Sequence, residues 1–95
     1  MKPNSFRPKS RFIQNKSNQT HYIDWQGKGP STVLIHGDMR TSRSFDEVAK
    51  RLSSNNHVLA MDLLGHGDST WTKSSYRFAD RSADIRNFVT KTDLN

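Results

Sequence analysis

Histidine, aspartate and serine are the side chains that move protons and attack carbonyl carbons, and here they concentrate in two short stretches. The first is His36-Gly37-Asp38-Met39-Arg40, and the second is Asp62-Leu63-Leu64-Gly65-His66-Gly67-Asp68-Ser69. Asp62, His66 and Ser69 carry the letters of an acyl-transfer triad, in which a histidine takes the proton of a serine nucleophile and a carboxylate orients the imidazole. A triad converges in space from separate elements, so three such residues crowded into one loop read as hydrogen-bonding ties of that loop. His36 reads as a structural histidine closing a strand, because no nucleophile is available to it. His57, Asp62, His66 and Asp68 are metal-ligating types, but their spacing matches neither a helical histidine pair nor an EF-hand loop, and no metal or cofactor is expected. Gly65-x-Gly67-x-x-Thr70 lacks the third glycine of a dinucleotide fingerprint, and Trp71-Thr72-Lys73 does not open a helix. His21, Trp25 and Trp71 read most simply as packing or surface residues.

Strands must deliver both stretches. Thr32-Val33-Leu34-Ile35 is a continuous apolar, β-branched run of the kind buried on both faces of a parallel sheet, and it predicts a strand over about 32–36. His57 to Asp62 predicts a second strand over about 57–62. Between them, Ser44 precedes Glu47 by the capping-box spacing, and Phe45, Val48, Ala49 and Leu52 share one helical face, which predicts a helix over about 45–53. Lys50 and Arg51 suit the negative pole of its dipole. A strand-helix-strand unit of this length implies parallel strands and a right-handed crossover. Upstream, Arg11–Gln14 and His21–Trp25 form a predicted hairpin around a polar turn. Downstream, Phe78, Ile85, Phe88 and Val89 give a helical stripe over about 78–91. The fold class is therefore α/β, and both stretches fall at the carboxyl ends of parallel strands, where open α/β sheets place their ligands.

The linked pair of loops, with a strand-helix-strand between them, resembles the N-terminal portion of the α/β-hydrolase fold family. In that family a strand ends in His-Gly, a helix follows, and the next strand leads into Asp-x-x-Gly-His-Gly-x-Ser. The resemblance runs from about Phe12 to Leu94, with Tyr76 and Asp84 at places like the family's second helix region. It implies that the loop after the first of these strands lends a backbone N–H to an oxyanion hole. By position that donor is the amide of Asp38, with Gly37 allowing a close turn and Met39 and Arg40 at the mouth. It also implies that Gly65 and Gly67 permit the second loop's turn, while Asp62, His66 and Ser69 tie it. Leu64 stands where family members more often carry Arg. The family's nucleophile sits on a Gly-x-Ser-x-Gly elbow, and no such elbow occurs in the chain. Gly67-Asp68-Ser69-Thr70-Trp71 is the nearest imitation, with Trp71 in place of the small residue and a loop following. The resemblance thus implies an esterase-like or related hydrolase portion that ends before its nucleophile and is inactive alone. No catalytic side chain is assigned within it.

Composition narrows the remaining classes. The chain has 95 residues and 32% hydrophobic content, enough for one small domain at most. It has no cysteine, which excludes disulfides and a thiol nucleophile and suits a reducing compartment. No apolar run is long enough for a membrane helix, and the N-terminus lacks a secretion signal's apolar stretch, so a cytoplasmic protein without a membrane partner is expected. Of the net charge of +6, all but one unit belongs to Lys2, Arg7, Lys9, Arg11 and Lys16. Residues 1–16 therefore read as a basic flexible leader and 17–95 as the partial domain. Nothing after the leader resembles a nucleic-acid-binding motif, so that partner is not expected. The expected partners are a small-molecule substrate of the full-length family member and a second copy, because the family's sheet order, carried over by the resemblance, leaves the Thr32–Ile35 strand as an open apolar edge.

Overall fold

The computed structural model describes residues 8–15, 18–36, 41–64, 66–71 and 78–92. Four strands form one mixed sheet: β1 (Lys9–Asn15), β2 (Asn18–Gln26), β3 (Ser31–Ile35) and β4 (His57–Met61). Their spatial order is β1-β2-β4-β3. The hairpin pairs β1 with β2 antiparallel, β2 pairs antiparallel with β4, and β3 lies parallel to β4 with Ser31 opposite His57 and Ile35 opposite Met61. The parallel pair is joined through a 3-10 turn (Ser42–Phe45) and helix α1 (Asp46–Leu52), as a crossover requires. Helix α2 (Phe78–Thr92) follows β4.

Alternation along the strands divides the core in two. Ile23, Trp25, Val58 and Ala60 meet Ala49 of α1 on one face, with Leu34 and Leu52 against them. Tyr22, Leu59 and Met61 meet Phe88 of α2 on the other, with Leu63, Ile13, Val33 and Ile85 completing the layer. The Tyr22 and Phe88 rings pack edge to face with centroids 5.0 Å apart. Both faces of β4 are covered, which is why Val58–Met61 reads as an unbroken apolar run. At the far end of the sheet, Gly27 and Gly29 take positive φ, and a Cβ on Gly27 would meet Asn56 O at 2.0 Å. The β2–β3 turn thus lies directly on the loop that enters β4.

Several boundaries differ from expectation. The expected hairpin strand at Arg11–Gln14 forms, but it runs over Lys9–Asn15, further into the segment also read as a leader, because the backbone pairs along β2 and Arg11 Nε donates to Asp24 at 3.0 Å. The expected Ser44–Glu47 capping box does not form. The box is Thr41–Ser44, at the head of the 3-10 turn, and α1 begins only at Asp46 with no side-chain cap from Phe45. Within α1, Ala49 faces the sheet and is buried while its neighbour Val48 is 49% exposed. Val89 of the α2 stripe is also exposed, and Phe88 and Ile85 carry the contact. Tyr76 and residues 1–7 lie outside the described residues. As expected, β3 is an edge strand, with Ile35 exposed at 40%.

Candidate functional site

The site is organised by a buried carboxylate at the carboxyl end of β4. Asp62 Oδ1 accepts from Ser42 N at 2.6 Å, and Oδ2 accepts from His21 Nδ1 at 2.6 Å and Asp68 N at 3.2 Å. Three separate segments therefore meet on one side chain: strand β2, the turn that follows residues 37–40, and the 62–69 loop. Burial pushes the Asp62 carboxyl up, but the bonds from Ser42 N, His21 and Asp68 N outweigh it and hold the group below the ordinary carboxylate range. The loop can close this tightly only because Gly67 has no side chain. Its φ is +49°, and a Cβ there would lie 2.4 Å from the Asp62 carboxylate.

Ser69 makes the second tie. Its hydroxyl donates to Asp62 O at 2.6 Å and accepts from His21 N at 2.7 Å, which fixes the end of the loop to β2. Gln19 N and Thr70 Oγ1 repeat the link at 2.7 Å. His36, directly after β3, is buried, and its Nε2 accepts from Leu63 N at 3.1 Å. The His36 and His66 rings pack at a tilt of 46° with centroids 4.8 Å apart, and His66 Nδ1 donates to Leu64 O at 3.2 Å. Asp84 of α2 closes the loop from the opposite face of the sheet. It accepts from Leu64 N at 2.9 Å and Thr20 Oγ1 at 3.4 Å. Burial dominates its carboxyl and pushes it up, despite the bonds from Leu64 N and Thr20.

The structure thus brings His36, His66 and Gly67 together at the ends of β3 and β4. Gly37, Asp38, Met39, Arg40 and Gly65 lie outside the described residues. Asp62, His66 and Ser69 do not converge as a triad: the Ser69 hydroxyl is committed to Asp62 O and His21 N, and His66 faces His36. His57 bonds Asp24 at the opposite end of β4 from Asp62. Among the described residues no group of three or more histidines and carboxylates could hold a metal. Sequence reasoning missed His21, Asp84 as a tie, and Ser42. A buried polar residue in the middle of a strand was the available signal for His21.

No family model matches the chain. It is 34% identical over 68 residues to an uncharacterized protein of Mycobacterium tuberculosis, covering 72% of this chain and 20% of that protein. It is 37% identical over 62 residues to (E)-2-((N-methylformamido)methylene)succinate hydrolase of Acinetobacter baylyi, covering 64% and 23%. Among solved structures, E-2-(acetamidomethylene)succinate hydrolase superposes with a TM-score of 0.84 at 25% identity, over 92% of this chain and 32% of that one. A haloalkane dehalogenase variant from Bradyrhizobium elkanii gives a TM-score of 0.86 at 20% identity, over 92% and 29%. The chain therefore carries the α/β-hydrolase fold. What it carries is the hairpin, the strand-helix-strand and its two loops, about a third or less of the length of these proteins. No helix among the described residues is long and apolar enough to cross a membrane.

Proposed function

We propose that this chain forms the N-terminal part of the core of an esterase-like or related hydrolase of a small organic substrate, and that the 95 residues alone do not turn substrate over. In this reading the Asp38 amide is the oxyanion donor, Gly37 lets the chain turn beneath it, and Met39 lies at the mouth. The observation that carries it is the bond from Ser42 N to Asp62 at 2.6 Å. A backbone donor stabilises a developing oxyanion only if it is held in place beforehand, and this bond anchors the segment leaving residues 37–40 to the end of β4. His36, Gly65, His66 and Gly67 support the neighbouring loop. The nucleophile is missing from the reading because the chain has no Gly-x-Ser-x-Gly turn. The absence of cysteine suits a cytoplasmic setting.

The purified chain, incubated with activated aryl esters, is expected to give no multiple turnover above buffer. Sustained turnover that disappears in Ser69→Ala would overturn the proposal, since it would make the 62–69 loop itself catalytic. The exposed edge supports a second reading, in which β3 pairs with β3 of another copy. A concentration-independent monomer in size-exclusion chromatography would overturn it.

A further inference from the structure

Strand β1 adds a serine to the His21–Asp62 pair. Ser10 and Phe12 alternate onto one face of β1, and Phe12 stands opposite His21 in the register. Ser10 Oγ lies 2.5 Å from His21 Nε2, and His21 Nδ1 lies 2.6 Å from Asp62 Oδ2. An ionised carboxylate can only accept, so Nδ1 carries the imidazole proton and Nε2 presents its lone pair to the Ser10 hydroxyl. Asp62 is in turn held by Ser42 N and Asp68 N, so the orienting group is itself fixed. His21 and Asp62 are buried while Ser10 is exposed, which shields base and orienter from water and leaves the hydroxyl open. The order hydroxyl, imidazole, carboxylate is the one that activates a serine. Phe12 packs against His21 with ring centroids 5.0 Å apart and is 51% exposed, an apolar surface beside the hydroxyl.

We propose that Ser10, His21 and Asp62 form a surface nucleophile site, in which Ser10 accepts the acyl group of small esters bearing an apolar or aryl part that rests on Phe12. Ser10 Oγ attacks the carbonyl carbon and its proton passes to His21 Nε2. The bond from that carbon to the leaving oxygen then breaks, the leaving oxygen takes the proton from His21, and Ser10 carries the ester. Asp62 stays ionised throughout and stabilises the imidazolium. The nucleophile lies on the sheet edge away from β3, and the site shares only Asp62 with the anchor of the hydrolase reading above.

The test is labelling of the 95-residue chain with an alkyl fluorophosphonate, which bonds to an activated serine oxygen as fluoride leaves. Intact mass and peptide mapping are expected to show one equivalent at Ser10, formed at least ~100-fold faster than in the urea-unfolded chain, as general-base assistance allows. Ser10→Ala should take no label, and Ser82→Ala, on the exposed side of α2, should label like the parent. His21→Gln should lose the acceleration, but it also touches Asp62. Ser10→Cys therefore gives a second readout that leaves the core intact. The chain has no other cysteine, and alkylation of this variant by iodoacetamide should exceed that of a free cysteine peptide at neutral pH. Labelling spread over several serines, labelling at the unfolded rate, or a thiol of ordinary reactivity would each overturn the proposal.

Discussion

Replacing Asp62 by Asn should reveal how far one carboxylate holds this architecture together. Three donors converge on it, from Ser42 N, His21 Nδ1 and Asp68 N. Asn keeps one acceptor oxygen and turns the other into a donor. With the oxygen toward Ser42, His21 can answer the new amide by moving its proton to Nε2, but the Asp68 N–H then faces another donor. An orphaned, partly buried donor costs about 1 kcal/mol at the low end of its range, and replacing charged by neutral acceptors in the other two bonds costs about 1 kcal/mol each. The sum is about 3 kcal/mol, or roughly 12–24 °C in Tm for a domain of this size. Urea unfolding followed by circular dichroism measures it. The pH dependence supplies the sharper check. The folded pKa of Asp62 lies below its ordinary value of 3.8, so its contribution is present above 3.8 and lost as pH falls through the folded value. The gap between parent and variant should therefore be full near neutral pH and close in acid. A gap below about 0.5 kcal/mol, within the range of an ordinary surface change, or one that persists unchanged in strong acid, would refute the three-way anchor.

Other expectations follow from the same contacts. Gly67→Ala combines a φ of +49° with a Cβ 2.4 Å from the Asp62 carboxylate, and should cost at least about 2 kcal/mol in urea unfolding, more than the left-handed backbone alone. Asp84→Asn should act oppositely to Asp62→Asn. Because burial raises the Asp84 carboxyl above 3.8, the parent loses stability as pH rises from 3.8 through the folded value; the variant's urea midpoint should be flat there and higher at neutral pH. Ile35→Lys places a charge on the open edge of β3 and should lower any concentration-dependent association in size-exclusion chromatography, leaving the far-ultraviolet spectrum unchanged.

Strands, helices and the linked loops were legible because hydrophobic periodicity and loop composition are local. The runs at 32–35 and 58–61 announce two parallel strands, of which only β4 is buried while β3, at the edge, is half-buried, and the spacing of Phe88 and Ile85 announces the contact face of α2. The α1 cap was misplaced because two hydroxyl residues lie one turn apart, and the choice between Thr41 and Ser44 depends on where Asp62 draws the Ser42 amide. Ser69 was legible as a tie but not as one to β2, since its partner His21 lies 48 residues away.

The chain's own residues thus determined the α/β alternation and the absence of an elbow nucleophile, which follow from side-chain type and spacing, whereas the edge position of β3 came from the resemblance and from the sheet order β1-β2-β4-β3. Only the tertiary structure decided which polar groups meet. His21 joins Asp62 across 41 residues and Ser10 across 11. The physical reason is that a hydrogen bond depends on distance and direction between two particular atoms, and those are set only once the sheet has stacked β1, β2 and β4 side by side.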